Sequence, residues 1–320
     1  MPLKLSFSNI SAVASAIRKS YGQVVSVVEN FTDPQYYPPE NSSVEDVLRY
    51  FFFMVAIDHR TSRFRPFEGY VRGKFHHGAD LLYRLGMLKY EEDPSFFSPE
   101  RMANLSTREV VEWLRTPGGD AIWDPDVRTE LLRDAGIKLI KYFGGSVLNF
   151  IKASGSYIRH PTSRCLGILF KVFKAYSDPV EKKMFLFIKF TLRRSLLAVK
   201  DIQNLEVPVD NHLTRIALRL KLVELDEEMS SKIVSRAEVS DREDVELRMA
   251  VRRAYSHLSR LSGVRQDYLD DYLWILGRKI CTRENPACER SGFCPLSSVC
   301  ASCGNASKIV EHNYVNTYYY

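Results

Sequence analysis

Five of the six cysteines fall between residues 281 and 303. The segment reads Cys281-Thr-Arg-Glu-Asn-Pro-Ala-Cys288-Glu-Arg-Ser-Gly-Phe-Cys294-Pro-Leu-Ser-Ser-Val-Cys300, with Cys303 following. Thiolates are soft donors, and four in a short loop can enclose a [4Fe–4S] cube or one zinc ion. Zinc sites usually carry paired Cys-x-x-Cys steps, and here the only such step is Cys300 to Cys303. Zinc stays the alternative to iron–sulfur on spacing alone. Cys165 stands apart in an apolar stretch and reads as core packing.

A second candidate is Asp210 in Val207-Pro-Val-Asp210-Asn-His212-Leu-Thr-Arg. An extended, Pro-containing piece delivers this carboxylate to the start of an amphipathic helix, where Asp also serves as an ordinary N-cap. His212 reads as an ordering or structural histidine. Further back, Ser177-Asp-Pro-Val-Glu-Lys182-Lys183 places two amines at a helix start, as solvated lysines or as nucleophiles. Between residues 59 and 84 basic side chains gather, His59, Arg60 and Arg63 among them, and they suit phosphate or a solvated loop. Phe64 and Phe67 in the same stretch fit either stacking on a base or covering the core.

The elements that must carry these groups are helical. Ile10, Val13, Ala14 and Ile17 recur at helical spacing, and so do Leu131, Leu132, Ala135 and Leu139, then Leu213, Ile216, Ala217 and Leu220. Val47 to Ile57 is apolar on almost every side, as a buried central helix would be. Strand signals are scarce, and no Asn-Gly-type turn joins two apolar runs. The reading is an all-α, two-lobed fold. One lobe covers 46–205, a second combines 1–45 with 206–280, a cysteine loop spans 281–303, and a tail without clear pattern runs from 304 to 320. At 320 residues, 45% hydrophobic and 26% charged, the chain is long and apolar enough to bury a core. Its net charge of +6 suits a polyanionic partner only mildly. The first twenty residues lack a continuous apolar stretch, and Tyr50–Ile57 is too short to cross a bilayer. The expectation is a monomeric cytoplasmic protein with no membrane contact, where clustered thiols point to metal before disulfide.

Around the cysteines, Leu273-Trp-Ile-Leu-Gly-Arg-Lys-Ile-Cys281, Cys-Thr-Arg-x-x-Pro-x-Cys and Cys-Pro-Leu-x-x-x-Cys resemble the cluster loop of endonuclease III and the adenine glycosylases. Those enzymes belong to the helix-hairpin-helix (HhH-GPD) DNA glycosylase superfamily. The resemblance implies a [4Fe–4S] cluster on Cys281, Cys288, Cys294 and Cys300, with a three-residue insertion between the middle pair and Cys303 as a spare. The Asp210 segment resembles the superfamily's Val-Asp-x-His element, which makes Asp210 the essential carboxylate. Such a carboxylate stabilises the oxocarbenium-like charge that develops on the sugar as an N-glycosidic bond breaks. Lys183, or Lys182 beside it, falls where bifunctional members place a Schiff-base lysine, if Asp178-Pro-Val-Glu stands in for the hairpin. The hairpin's Gly-x-Gly, which lets backbone amides approach a DNA phosphate, is missing.

The middle of the chain resembles another group. Arg128-x-x-x-Leu-x-x-Ala-Gly136, Tyr142-Phe-Gly-Gly-Ser-Val-Leu-Asn-Phe-Ile151, Gly78-Ala-Asp-Leu-Leu-Tyr-Arg84 and Glu246-Leu-Arg248 are similar to the queuosine salvage glycosidases, which hydrolyse a modified nucleoside 5′-monophosphate. The leading expectation is an N-glycosylase removing a damaged base from DNA in base excision repair, possible lyase activity included. Its substrate-binding residues would be His59, Arg60, Arg63, Phe64 and His212. Two alternatives stand beside it: a glycosidase of a modified nucleotide, and a non-catalytic nucleic-acid-binding iron–sulfur protein.

Overall fold

A computed structural model describes residues 3–161 and 164–320. The first helices, α1 (Phe7–Lys19) and α2 (Tyr21–Ser26), are followed by α3 (Val44–Ala56). A β-hairpin comes next and leads into α4 (Ala79–Glu92), α5 (Pro99–Ala103), α6 (Thr107–Trp113), α7 (Pro125–Phe143), α8 (Val147–Ala153), α9 (Leu166–Leu169) and α10 (Lys182–Arg193). The chain closes with α11 (Asn211–Arg219), α12 (Glu227–Ser235), α13 (Asp241–Ser262) and α14 (Gln266–Ile275). The fold is mostly helical, as the apolar spacing predicts.

Two compact units emerge. The first comprises Met1–Glu29 with Leu205–Thr317, and the second Asn30–Asn204 with Tyr318–Tyr320. In the first, the long α13 lies against α1 through Ile10, Val13, Leu247, Val251 and Leu258, all buried. A capping box on Ser240 and Glu243 starts α13, and Gly263 at φ 74° ends it. A two-residue strand β1 (Lys4–Leu5) pairs with β4 (Val223–Glu224) beyond α11. Residues 305–317 of the tail that shows no clear pattern in sequence are tied down in this unit: the Val239 amide donates to the Asn313 carbonyl, and Tyr314 donates to Asp241.

The second unit is built round α3, whose residues from Tyr50 to Ala56 are all buried. Phe52 meets Phe150, Phe170, Phe173, Tyr176 and Phe187, which explains why this helix is apolar all round. Gly136 of α7 has a physical reason: a Cβ there would stand 2.6 Å from the Pro99 carbonyl oxygen and 2.7 Å from the Ala103 nitrogen. The expectation of no hairpin fails here. Strands β2 (Glu68–Val71) and β3 (Lys74–His77) pair antiparallel through a two-residue turn, Arg72-Gly73, with φ of 49° and 78°. Both turn residues sit at positive φ, as a type I′ turn demands, and Gly73 supplies the second position without strain. Among the described residues, no helix is long and apolar enough to cross a membrane.

Candidate active site

In the first unit Pro208 keeps the chain extended up to Asp210, which has φ −118° and ψ −168° and caps α11. Asp210 Oδ1 accepts from the Leu213 amide at 2.9 Å, and the Thr214 hydroxyl donates to the Asp210 carbonyl at 2.8 Å. Asp210 Oδ2 has no hydrogen-bond partner among the described residues, and the side chain is half-buried. One oxygen therefore fixes the carboxylate while the other stays available. That is the geometry a charge-stabilising or water-orienting group needs.

His212 is half-buried in the first turn of α11, with Nδ1 3.2 Å from Arg215 Nη2. Burial pulls its pKa below the ordinary value, Asp210 opposes that pull and Arg215 adds to it. Arg215 reaches Glu311 at 3.2 Å and the Gly277 carbonyl at 2.9 Å. One turn further, the fully buried Arg219 donates to the carbonyls of Thr282, Arg283 and Ile309 and, at 3.2 Å, to Cys281 Sγ. The helix that begins at Asp210 thus fastens the start of the cysteine loop.

Cys281, Cys288, Cys294, Cys300 and Cys303 line one small cavity together with Ile280, Pro286, Ala287, Ser297 and Ala306. As placed, no three His, Cys, Asp or Glu side chains among the described residues form a group that could hold a metal ion. Five thiols face one cavity, but they are not drawn in round a single ion. Burial lifts the Cys300 thiol to about 11, whereas Cys303 is exposed.

The lysines lie in the second unit, and neither is the solvated surface lysine that local sequence allows. Asp178 is buried at the start of α10; its Oδ1 accepts from the Val180 amide and its Oδ2 from the Lys182 amide, both at 3.0 Å. Lys182 is buried and donates to the Asp58 carbonyl at 2.9 Å, with Asp58 Oδ1 at 3.6 Å. Lys183 is 0% exposed. Its Nζ donates to the Ala56 carbonyl at 2.6 Å and stands 3.5 Å from His59 Nδ1, beneath the Tyr318 ring. Burial holds the Lys183 amine well below the usual lysine range, and the charges of Lys182 and Arg128 push the same way. His59 is likewise lowered by burial and by Arg128, Lys183 and Lys182. Its Nε2 is buried and has no hydrogen-bond partner among the described residues.

Arg128 organises this corner. Fully buried in α7, it donates to the carbonyls of Ile57, His59, Arg60 and Trp123, and burial lowers it to about 9. The basic stretch therefore splits: His59 turns inward while Arg63 and Phe64 face outward, and Phe67 is buried in the core rather than free to stack. Asp210 and His212 belong to the first unit; His59, Arg60, Arg63, Phe64, Lys182 and Lys183 belong to the second. Asp58, Arg128 and Tyr318 were missed as members of the lysine corner. Arg128 carried a signal, as an arginine on the apolar side of its helix, but Tyr318 carried none. Arg84 and Arg248 of the resembling segments are buried in ion pairs with Glu91 and Asp244, which gives them structural work.

No curated protein matches this chain. Among solved structures it is similar to the 8-oxoguanine DNA glycosylase of Pyrobaculum aerophilum, complexed with 8-oxoguanosine, at 14% identity and a TM-score of 0.46, over 86% of this chain and 90% of that one. The family model described as queuosine salvage protein matches residues 85–287, well over half of the sequence and the Asp210 helix included. The chain belongs to the queuosine salvage protein family.

Proposed function

We propose that this protein hydrolyses the N-glycosidic bond of a modified nucleoside or nucleotide, with Asp210 as its essential carboxylate. The observation that carries the reading is the divided role of Asp210, one oxygen spent on the Leu213 amide and the other left open. As the C1′–N bond breaks, its electron pair leaves with the base, and the sugar gains oxocarbenium character that the carboxylate stabilises. Water then forms the new C1′–O bond, Asp210 accepts its proton, and the departing base takes one from solvent. Family membership supports a modified nucleobase as the leaving group.

The start of α10 argues for a small substrate over duplex DNA. If Asp178-Pro-Val-Glu stands in for a phosphate-binding hairpin, its amides are already occupied by the buried Asp178 carboxylate. A phosphate would have to displace an anion that the chain itself provides. The test is base release from queuosine, its 5′-monophosphate and unmodified nucleotides, followed by chromatography. Release that disappears in Asp210→Asn supports the reading, and no release from any free nucleoside or nucleotide overturns it.

One observation favours a second reading, base removal from DNA with a lyase step: burial pulls the Lys183 amine well below the usual lysine range, toward the neutral form a Schiff-base nucleophile needs. Borohydride trapping on damaged duplex DNA tests it, and absence of a Lys183 adduct removes the lyase step.

For the cysteine cavity we propose that Cys281, Cys288, Cys294 and Cys300 hold a [4Fe–4S] cluster, with zinc as the alternative occupant and Cys303 left outside. The five thiols in the lining and the Arg219 contact to Cys281 support the fit. When bound, the group would supply covalent cross-links within the loop, whose start Arg219 of α11 holds by hydrogen bonds. Iron and acid-labile sulfide in stoichiometric amounts would support this, whereas one zinc per chain and a colourless protein would replace iron by zinc.

A further inference from the structure

The hairpin of the second unit has two unlike faces. Along β2 and β3 alternate residues point to opposite sides, in a register that sets Tyr70 opposite Phe75 and Gly69 opposite His76. The inner face packs. A Cβ on Gly69 would come within 2.7 Å of Pro117, and His76 is buried with Nδ1 3.2 Å from the Tyr36 hydroxyl. The outer face carries Tyr70 and Phe75, 68% and 49% exposed, with ring centroids 5.3 Å apart. Just before β2, Phe64 is 87% exposed, the most open aromatic among the described residues, with the Arg63 guanidinium 5.3 Å from its ring centre.

Charge accompanies the rings. Between residues 60 and 77 stand five Lys and Arg and one acid, Glu68. Arg65 and Arg72 pair with Asp120 and Glu91, but these arginine side chains are 78% and 67% exposed. Pairs so open to water are weak and readily exchange one anion for another. A cross-strand aromatic pair alone would be explained by hairpin stability. It does not explain a third ring, Phe64, outside the strands and almost fully in solvent, nor five cations against one acid over residues 60–77.

From this we propose that the outer face of the hairpin, with Phe64, is a docking surface for single-stranded nucleic acid. Exposed rings offer faces for unstacked bases, and flanking cations follow the phosphates; a duplex keeps its bases stacked and shows the rings nothing to bind. DNA and RNA strands share this chemistry. The surface is built from the second unit and Asp210 belongs to the first, so the inference stands whether or not the glycosidase reading holds.

The test is fluorescence anisotropy of the full chain with labelled 15-nucleotide oligo-dT, oligo-U and a matched duplex, at low and moderate salt. The expectation is binding to single strands over duplex, weakening as salt rises. Tyr70→Thr with Phe75→Thr keeps strand-forming residues at both positions, and thermal melting checks that the fold survives. Single-strand affinity should fall about tenfold or more in this double variant. Arg72→Gln with Lys74→Gln should flatten the salt dependence. A preference between the two oligomers tells which strand the surface serves. The proposal fails if the wild type binds neither strand, if it prefers the duplex, or if the threonine variant binds as tightly as the wild type. Base release from free nucleotides by the same threonine variant reports on Asp210 separately.

Discussion

Helices α10 and α11 begin almost alike. Each follows a Pro-Val pair and carries an aspartate within four residues of its first turn, yet the two carboxylates end in opposite situations. Asp178 is buried, and both its oxygens are taken by amides at the start of α10. Asp210 is half-buried, gives one oxygen to the Leu213 amide and keeps the other open. The first aspartate completes the backbone, and the second has capacity left for a substrate. The basic groups differ in the same way: the amine after Asp178 is driven toward neutrality by burial, while Arg215 and Arg219 of α11 face carbonyls and, through Arg215, the Glu311 carboxylate. Similar local sequence gives a sealed corner at one helix and an open carboxylate at the other.

Exchanging the carboxylate that is open should have the largest effect. Asp210→Asn should lower base release by about a thousandfold, because the amide carries no charge to stabilise the developing cation. The fold should survive, since Asn caps a helix as well as Asp does. An equal loss of activity in Asp178→Asn, with stability intact, would erase the contrast between the two helices. Asp178→Ala should instead act on stability, leaving two amides without their anion at a cost of about 3 kcal/mol, read by chemical denaturation.

The buried amine gives a smaller effect of opposite sign. Lys183→Met should stabilise the protein by about 1 kcal/mol near neutral pH. In the unfolded chain Lys183 is protonated up to its ordinary value of 10.5, whereas in the folded state burial makes it lose the proton at lower pH. The unfolded state therefore binds the extra proton, so wild-type stability rises with pH through that window and the advantage of the methionine variant shrinks. Melting curves at pH 7 and pH 10 check the trend. The smallest effect belongs to His59, neutral when folded and protonated when unfolded below its ordinary 6.5. Stability should fall as the pH drops beneath that value, by about 1 kcal/mol, and His59→Phe should flatten the acid side of the profile.

Much of the frame was legible. The apolar pattern located α1, α3, α7 and α11, and the Pro-Val-Asp run placed Asp210 at a helix start. The hairpin at 68–77 was not, because its outer face is aromatic rather than polar and its turn is Arg-Gly, so neither strand alternates in the expected way. Phe67 and Phe64 stand three residues apart and look alike in sequence, but one is buried and the other faces water. Nothing in their neighbours distinguishes them.

By itself, then, the sequence determined the helices, the crowding of five thiols in one loop and the presence of a carboxylate after Pro208. These depend on neighbours along the chain, through apolar period, ring-constrained backbone and spacing. Tertiary structure alone decided which of these groups keep their charge and which oxygens stay open. Desolvation depends on atoms brought from far along the chain: Arg128 and Tyr318 enclose Lys183, while Gly277, Thr282 and Glu311 engage the arginines of α11. Cys281 and Arg219, sixty-two residues apart, illustrate the same rule, since only the folded chain brings that thiol to its guanidinium.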